Sequence, residues 1–142
     1  RKCVGMMILN SNNEILVGRR LDHPSGYWQM PQGGIDENEN PEEAVWREMM
    51  EEIGTNNAEL FKISNQWVKY NIPQETLDKL PWGKIWIGQK QKWFIFKFTG
   101  DEAEINIGSE MNLYLIDFLY KMILIKVNIA LQFMNVLKME VE

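Results

Sequence analysis

The sequence predicts an α/β domain in which helices pack on the faces of a mixed β-sheet. Short apolar segments with strand character lie both before and after one strongly amphipathic helix, and turn residues separate them. The length of 142 residues suits a single domain, 1–142, with its own hydrophobic core. A mixed sheet covered by helices is the simplest architecture for this order of elements.

The N-terminal part predicts a β-hairpin. Residues 4–9 (VGMMIL) and 14–20 (EILVGRR) are apolar strand candidates, and the polar turn 10–13 joins them. A further short strand is expected at 27–30. It leads into a glycine turn at Gly33 and Gly34.

The predicted helix follows that turn and carries start and stop signals. Asn40 is a suitable N-cap, Pro41 fits the first helical position, and Glu43 completes a capping box with Asn40. Gly54 is a typical C-terminal stop. These local signals predict a helix between the two caps.

Five segments after the helix have sequence patterns that predict their structure. Residues 60–63 and 66–70 are strand candidates, and the proline-punctuated 73–81 segment predicts a loop or a short helical turn. Residues 85–87 and 92–98 follow as strands, the second rich in aromatic side chains. This order completes the predicted mixed sheet.

The C-terminal segment 113–139 is unusually apolar. Its only charged residues are Asp117, Lys121, Lys126 and Lys138. The two central lysines leave no uncharged stretch of about 18 to 20 residues, so no membrane partner is expected. A buried helix is the preferred interpretation. A membrane-associating tail and a poorly folded terminus are the alternatives.

Composition limits the function classes. The net charge of −5 argues against non-specific binding to DNA or other nucleic acid. Cys3 is the single cysteine, which excludes an intramolecular disulfide and favours a reducing cytoplasm. The chain begins at Arg1 without a methionine, which is compatible with a missing N-terminal segment, and it shows no signal-peptide pattern.

The polar face of the helix concentrates three carboxylates. At roughly 100° per residue, Glu48, Glu51 and Glu52 fall together, opposite an apolar face. That apolar face consists of Val45, Trp46, Met49, Met50 and Ile53. Arg47 is placed (i, i+4) to Glu51. An ordinary solvated acidic face is the simpler explanation of the helix alone. Ligation of Mg²⁺ or Mn²⁺ would also relieve the repulsion.

The full spacing favours the metal-binding interpretation. From Gly33 to Thr55, 23 residues carry fixed positions at Gly33, Glu39, Arg47-Glu48-Met49, Glu51-Glu52 and Gly54-Thr55. This pattern matches the Nudix box, and the chain resembles a Nudix hydrolase. The resemblance implies an α/β/α sandwich and a metal-dependent phosphoanhydride hydrolase.

The resemblance also implies roles for the residues of the box. Glu48, Glu51 and Glu52 are the candidate metal ligands, and Glu51 or Glu52 is the candidate general base. Arg47 is a candidate catalytic residue that we expect to orient a carboxylate rather than contact substrate. Glu39 is expected to stabilise the junction between loop and helix. The glycines at 33 and 34 are expected to bring the loop backbone beside the metals.

A narrower resemblance extends over about residues 3–107. It rests on the segments GRR, YWQMPQGGID, QWVKYNIP and IGQKQKWF. They are similar to bacterial RNA pyrophosphohydrolases and (di)nucleoside polyphosphate hydrolases. The resemblance implies phosphate contacts from Arg1, Arg19 or Arg20, and Lys90 or Lys92. Tyr70 or a neighbouring tryptophan is a candidate for stacking on a base.

Three functions therefore remain open. The first is removal of pyrophosphate from 5′-triphosphorylated RNA, and the second is hydrolysis of diadenosine tetra- or pentaphosphate, which the longer 21–26 loop favours. The third, from another class, is a catalytically impaired binding module. It is motivated by residues 105–142, which lack the acidic strand and PFKR-type segment of the family. Glu110 is a candidate substitute for the missing carboxylate.

Overall fold

The computed structural model describes residues 1–20, 28–72, 74–79, 87–107 and 120–126. Its strands are β1 (Lys2–Leu9), β2 (Glu14–Arg20), β3 (Trp28–Gln29), β4 (Gln32–Gly34), β5 (Ala58–Ile63), β6 (Val68–Asn71), β7 (Gly88–Phe98) and β8 (Tyr120–Lys126). Its helices are α1 (Pro41–Ile53), α2 (Gln74–Leu77) and a 3-10 turn at Glu102–Glu104.

The strands form one mixed sheet in the order β3-β2-β1-β7-β5. Strands β1 and β7 are parallel and in register from Lys2 opposite Lys90 to Leu9 opposite Lys97. The other strand pairs are antiparallel, with β4 on β1, β6 on β7 and β8 on β2. The predicted α/β class with a mixed sheet is therefore confirmed.

Both faces of the sheet are covered by apolar side chains. On one face, Val4 and Met6 of β1 and Phe96 of β7 pack with Val45 and Met49 of α1. On the other face a smaller cluster contains Met7, Ile15, Trp93 and Ile95. Central strands buried on both faces are typically almost continuously apolar, as β1 is. Helix α1 thus has a fixed position over β1 and β7.

The predicted caps of α1 are confirmed. Asn40 accepts hydrogen bonds from the backbone N–H groups of Glu42 and Glu43, and the Glu43 side chain accepts from the Asn40 N–H. Pro41 is the first helical residue. Gly54 closes the helix with a φ of 75°, a conformation that glycine adopts without strain.

The buried face of α1 is rotated from the predicted one. Ala44 and Glu48 are buried together with Val45, Met49 and Ile53, whereas Met50 is 39% exposed. Glu48, predicted on the polar face opposite the apolar one, is therefore buried in the folded protein. Strand β4 runs beside this part of the helix and covers it. The burial of Glu48 therefore depends on tertiary packing rather than on the periodicity of the helix.

Gly33 and Gly34 do not form the expected tight turn. Both belong to strand β4, where Gly33 pairs with Val4 and Gly34 with Cys3. Their backbone angles do not require glycine, because Gly54 is the one glycine with positive φ among the described residues. What requires glycine at these positions is the close approach of neighbouring side chains.

The helix predicted for the apolar C-terminal segment is wrong at residues 120–126, the part of it that the structure describes. Residues 120–126 form β8, which pairs along β2 from Tyr120 opposite Arg20 to Lys126 opposite Glu14. Isoleucine and tyrosine in this stretch favour a strand. The rest of the predicted helix lies outside the described residues, as do the 21–26 loop and Glu110. Among the helices of the described ranges, none is long and apolar enough to cross a membrane.

Two strand predictions need smaller corrections. Strand β7 begins at Gly88, four residues before the expected start, because β6 pairs with residues 88–91 and extends the ladder. Ile87 lies just before this strand, and residues 85 and 86 lie outside the described ranges. The 73–81 segment includes the one-turn helix α2, which agrees with the short helical turn that was one of its two predicted conformations.

The capping box yields a test of the fold. Asn40→Ala removes an oxygen that satisfies two backbone donors at the start of α1, so we expect it to lower the free energy of unfolding by about 1 kcal/mol. Chemical denaturation measures this change. Asn12→Ala, in an exposed hairpin turn, is the control. Equal losses in the two variants would contradict the capping role.

Candidate functional site

The guanidinium group of Arg47 joins three segments of the chain. Its Nε and Nη2 atoms donate to the two carboxylate oxygens of Glu39, each at 2.8 Å. Nη2 also donates to the backbone carbonyl of Gly34 in β4 at 2.8 Å. Asp36 lies 3.8 Å from the same nitrogen. Arg47 therefore ties α1 to β4 and to the loop between them.

The remaining Arg47 nitrogen holds two carboxylates of its own helix. Nη1 donates to Glu48 Oε1 at 3.0 Å and to Glu51 Oε2 at 3.1 Å. Hydrogen bonding to Glu39 is the main cause that raises the pKa of Arg47 above its usual value. These contacts are those expected of an arginine that orients carboxylates.

Glu48 occupies a space that a side chain at position 33 would fill. A Cβ atom added to Gly33 would overlap the Glu48 carboxyl group. Burial raises the pKa of Glu48 above its usual value, while Arg47 opposes that shift. The glycine at 33 therefore admits the acidic side chain to the surface of β4.

Among the carboxyl groups of the site, Glu52 is the one whose pKa is raised most. Burial, followed by the neighbouring charges of Glu48 and Glu51, raises the pKa of Glu52 to about 7. Burial and like charges both penalise the ionised form of a carboxyl group. A cation placed among these oxygens would remove that penalty.

The carboxylate oxygens of this cluster are the kind of ligand that Mg²⁺ and Mn²⁺ prefer. Within the described residues, however, no three acidic, histidine or cysteine side chains are already arranged to hold an ion. Two of the three candidate ligands, Glu48 and Glu51, instead share one nitrogen of Arg47. Ion binding would therefore have to draw these carboxylates partly away from the guanidinium.

Glu39 lies at the junction between loop and helix that it was predicted to stabilise. In addition to Arg47, its carboxylate accepts a hydrogen bond from the Asp36 N–H at 3.0 Å. The hydrogen bond from Arg47 is the main cause that lowers the pKa of Glu39. Among the described residues, the contacts of Glu39 are thus with Arg47 of the helix and Asp36 of the loop.

A groove of about 740 Å³ lies beside the acidic cluster. Its lining includes Arg1 and Lys90, both predicted to contact substrate, and the acidic loop residue Asp36. Gly34 makes room for Arg1, because a Cβ atom at position 34 would overlap the Arg1 guanidinium. Two of the predicted substrate residues are thus brought together next to β4.

Two further lysines of the groove were missed by the sequence analysis. Lys2 and Lys69 line the groove with Lys90. Only the strand register brings Lys2, Lys69 and Lys90 together, because they are distant in sequence. Each lies at or next to a predicted strand, but that alone did not indicate which strands are neighbours.

Lys92, also predicted to contact substrate, is not among the described residues that line the groove. Lys92 directs its Nζ to the Asn65 carbonyl at 3.4 Å. Arg19 and Arg20 lie in β2, and Tyr70 lies in β6 opposite Gln89, but their side chains are outside the described part of the structure. Their contacts with substrate stay predictions.

A profile of the NUDIX domain matches residues 1–111 of this chain. The chain belongs to the Nudix family. The resemblance based on the glycine- and glutamate-containing motif is therefore confirmed. The matched region contains β1 to β7 and α1, and it ends before β8.

The narrower resemblance is also confirmed by relatives of known name. An RNA pyrophosphohydrolase from Rhodospirillum rubrum is 51% identical over 109 residues, which cover 77% of this chain and 65% of the relative. Nudix hydrolase 26, chloroplastic, from Arabidopsis thaliana is 49% identical over 109 residues, covering 75% of this chain and 50% of the relative. The chain thus spans between half and two thirds of the length of these relatives.

Solved structures with the same fold are more distant in sequence. An Ap4A hydrolase from C. elegans superposes with a TM-score of 0.63 at 16% identity, covering 92% of this chain and 83% of that one. The E. coli dihydroneopterin triphosphate pyrophosphohydrolase gives 0.62 at 18% identity, covering 84% and 77%. These similarities support the Nudix fold of the chain.

The Glu39–Arg47 contact gives a pH-dependent prediction. Glu39→Gln removes the charge from two hydrogen bonds, so we expect the free energy of unfolding at neutral pH to fall by about 1 kcal/mol. The pKa of Glu39 lies below its usual 4.5 in the folded protein. The stabilisation is therefore complete above about pH 4.5 and is lost as the pH falls through the folded value.

Denaturation curves of parent and variant should therefore converge in strong acid. Glu37→Gln, an exposed carboxylate of the same loop, is the matched control. A difference between parent and Glu39→Gln that stays constant at every pH would contradict an ionic contribution.

Proposed function

We propose that this chain is a pyrophosphohydrolase that uses Mg²⁺ or Mn²⁺ to remove pyrophosphate from the 5′-triphosphate end of RNA. The single observation that carries the proposal is the Arg47 network, which gathers Glu39, Glu48 and Glu51 beside β4. The names of the similar RNA pyrophosphohydrolases support the choice of substrate. A reducing, cytoplasmic location is part of this proposal and fits the buried free thiol of Cys3.

Glu48, Glu51 and Glu52 are the residues that would hold the metal. A bound divalent ion supplies charge neutralisation at the phosphate oxygens and lowers the pKa of water toward about 7. Glu51 or Glu52 would accept the proton of the attacking water.

Arg47 would act as a positioning residue. Its guanidinium contacts carboxylates and the Gly34 carbonyl, and it leaves the phosphates to other cations. Arg1 and Lys90 line the adjacent groove, where they would pair with phosphate oxygens. The acidic and basic halves of the site would thus contact the same substrate from two sides.

Removing one carboxylate tests the enzyme assignment. Glu51→Gln should reduce metal-dependent release of pyrophosphate from triphosphorylated RNA by at least about 100-fold, because it removes a ligand or a base. Glu42→Gln, an exposed glutamate on the same helix, is the control and should retain activity. Parent, variant and control are compared with and without Mg²⁺.

The same assay separates the three candidate functions. Faster turnover of triphosphorylated RNA than of diadenosine tetraphosphate supports the RNA assignment, and the reverse order supports the dinucleoside polyphosphate hydrolase. A folded parent that binds RNA but cleaves neither substrate would support the binding module instead.

The glycine of β4 provides a test of metal binding. Gly33→Ala places a methyl group where the Glu48 carboxyl group lies, so we expect weaker Mn²⁺ binding with the fold retained. Calorimetric titration measures the affinity. Gly100→Ala is the control. Its added methyl group also meets a carboxylate, that of Glu104, which is far from the acidic cluster in sequence, so Mn²⁺ affinity should be unchanged. Equal Mn²⁺ affinity in both variants would exclude Glu48 as a ligand.

A further inference from the structure

Three lysines form a row across three neighbouring strands. Lys2 of β1 is directly opposite Lys90 of β7, and Lys90 is directly opposite Lys69 of β6. Directly opposed residues project from the same face of a sheet, and adjacent strands lie about 4.8 Å apart. The backbone positions of the row therefore span roughly 10 Å.

The row lies on the face of the sheet that carries α1. Side chains alternate along a strand, so Lys2 shares its face with Val4, which packs in the core beneath α1. Val4 pairs with Gly33, the residue against which Glu48 is placed. Two residues along β1 correspond to roughly 7 Å. One substrate molecule can therefore contact both the acidic cluster and the lysine row.

Asp36 and Glu37 line the same groove as the three lysines, but neither forms an ion pair with them. Within the described ranges, the ion pairs are those of Arg47, and none involves Lys2, Lys69 or Lys90. Lys90 lies over the Trp67 ring, 5.0 Å from its centroid. Like charges directly opposite each other destabilise a sheet. An anion bound across the row would remove this repulsion.

The groove above the row offers more than charge. Ile35 and Ile87 contribute apolar surface to it, and Ile87 is 73% exposed. Neighbouring phosphates of a polyphosphate share one bridging oxygen, whereas those of a nucleic-acid strand are separated by a sugar. Cations one strand spacing apart, with apolar side chains beside them, fit the second arrangement better.

We infer that Lys2, Lys90 and Lys69 form an anion subsite that binds the phosphodiester backbone of RNA next to its triphosphorylated end. The inference rests on the proposed function and adds Lys2 and Lys69 to it. It explains how a chain of net charge −5 holds RNA, because the contact is confined to one row.

The salt dependence of RNA binding tests the subsite without requiring catalysis. A short 5′-monophosphorylated RNA is titrated in chelator over a range of salt concentrations. For single strands, log K falls with log salt by about 0.7 per phosphate neutralised. Lys2→Gln, Lys69→Gln and Lys90→Gln should each reduce the slope by about 0.7 and weaken binding by up to about fivefold.

Matched variants control for charge and folding. Lys97→Gln removes an exposed lysine from the other end of β7, where it lies over Phe61, and should leave the slope unchanged. Lys90→Arg keeps the charge and should keep the slope. If the three Gln variants have the slope of the parent, the subsite is overturned, even if hydrolysis is intact.

Steady-state kinetics assign the bound group. We expect Lys2→Gln and Lys69→Gln, the two residues that the inference adds, to raise KM for triphosphorylated RNA, with KM for ATP unchanged. A change confined to diadenosine tetraphosphate, or an equal change for ATP, would overturn the assignment to the RNA backbone. If the parent cleaves nothing but the slopes still fall, the proposed function fails and the subsite stands.

Discussion

The hydrogen bonds of one arginine hold the candidate site together. Arg47 contacts Glu39 of the loop, the Gly34 carbonyl of β4, and Glu48 and Glu51 of its own helix. Without this cation the surrounding carboxylates would repel one another and desolvation would oppose the burial of Glu48. The geometry of α1 against β4 depends on this contact, and the lack of a side chain at Gly33 permits it.

The site separates charges of opposite sign along β1. Glu48 lies near the position where Gly33 pairs with Val4, and the lysines begin two residues away at Lys2. Carboxylates suit hard divalent ions, and lysines suit phosphate oxygens. A phosphorylated substrate needs both. The same short stretch of sheet is therefore consistent with the proposed hydrolysis and with recognition of a longer anionic chain.

Sequence signals predicted the structure correctly where the conformation depends on neighbouring residues along the chain. The caps of α1, at Asn40 and Gly54, depend on residues within a few positions of each other, and they were predicted correctly. The turn predicted at Gly33 and the helix predicted at residues 120–126 are both strands in the structure. In both cases pairing with a distant strand decided the conformation, and neither glycine content nor apolar composition encodes the identity of that partner.

The sequence by itself determined the Nudix motif, the amphipathic helix and the set of carboxylates that belong to it, because these depend on spacing along one chain segment. The tertiary structure decided that Glu48 is buried, that Arg47 bridges to β4, and that three lysines from distant positions form one row. The physical reason is that strand register and helix packing bring together residues separated by tens of positions. Electrostatic interactions and desolvation depend on how close residues are in space, not on their separation along the chain.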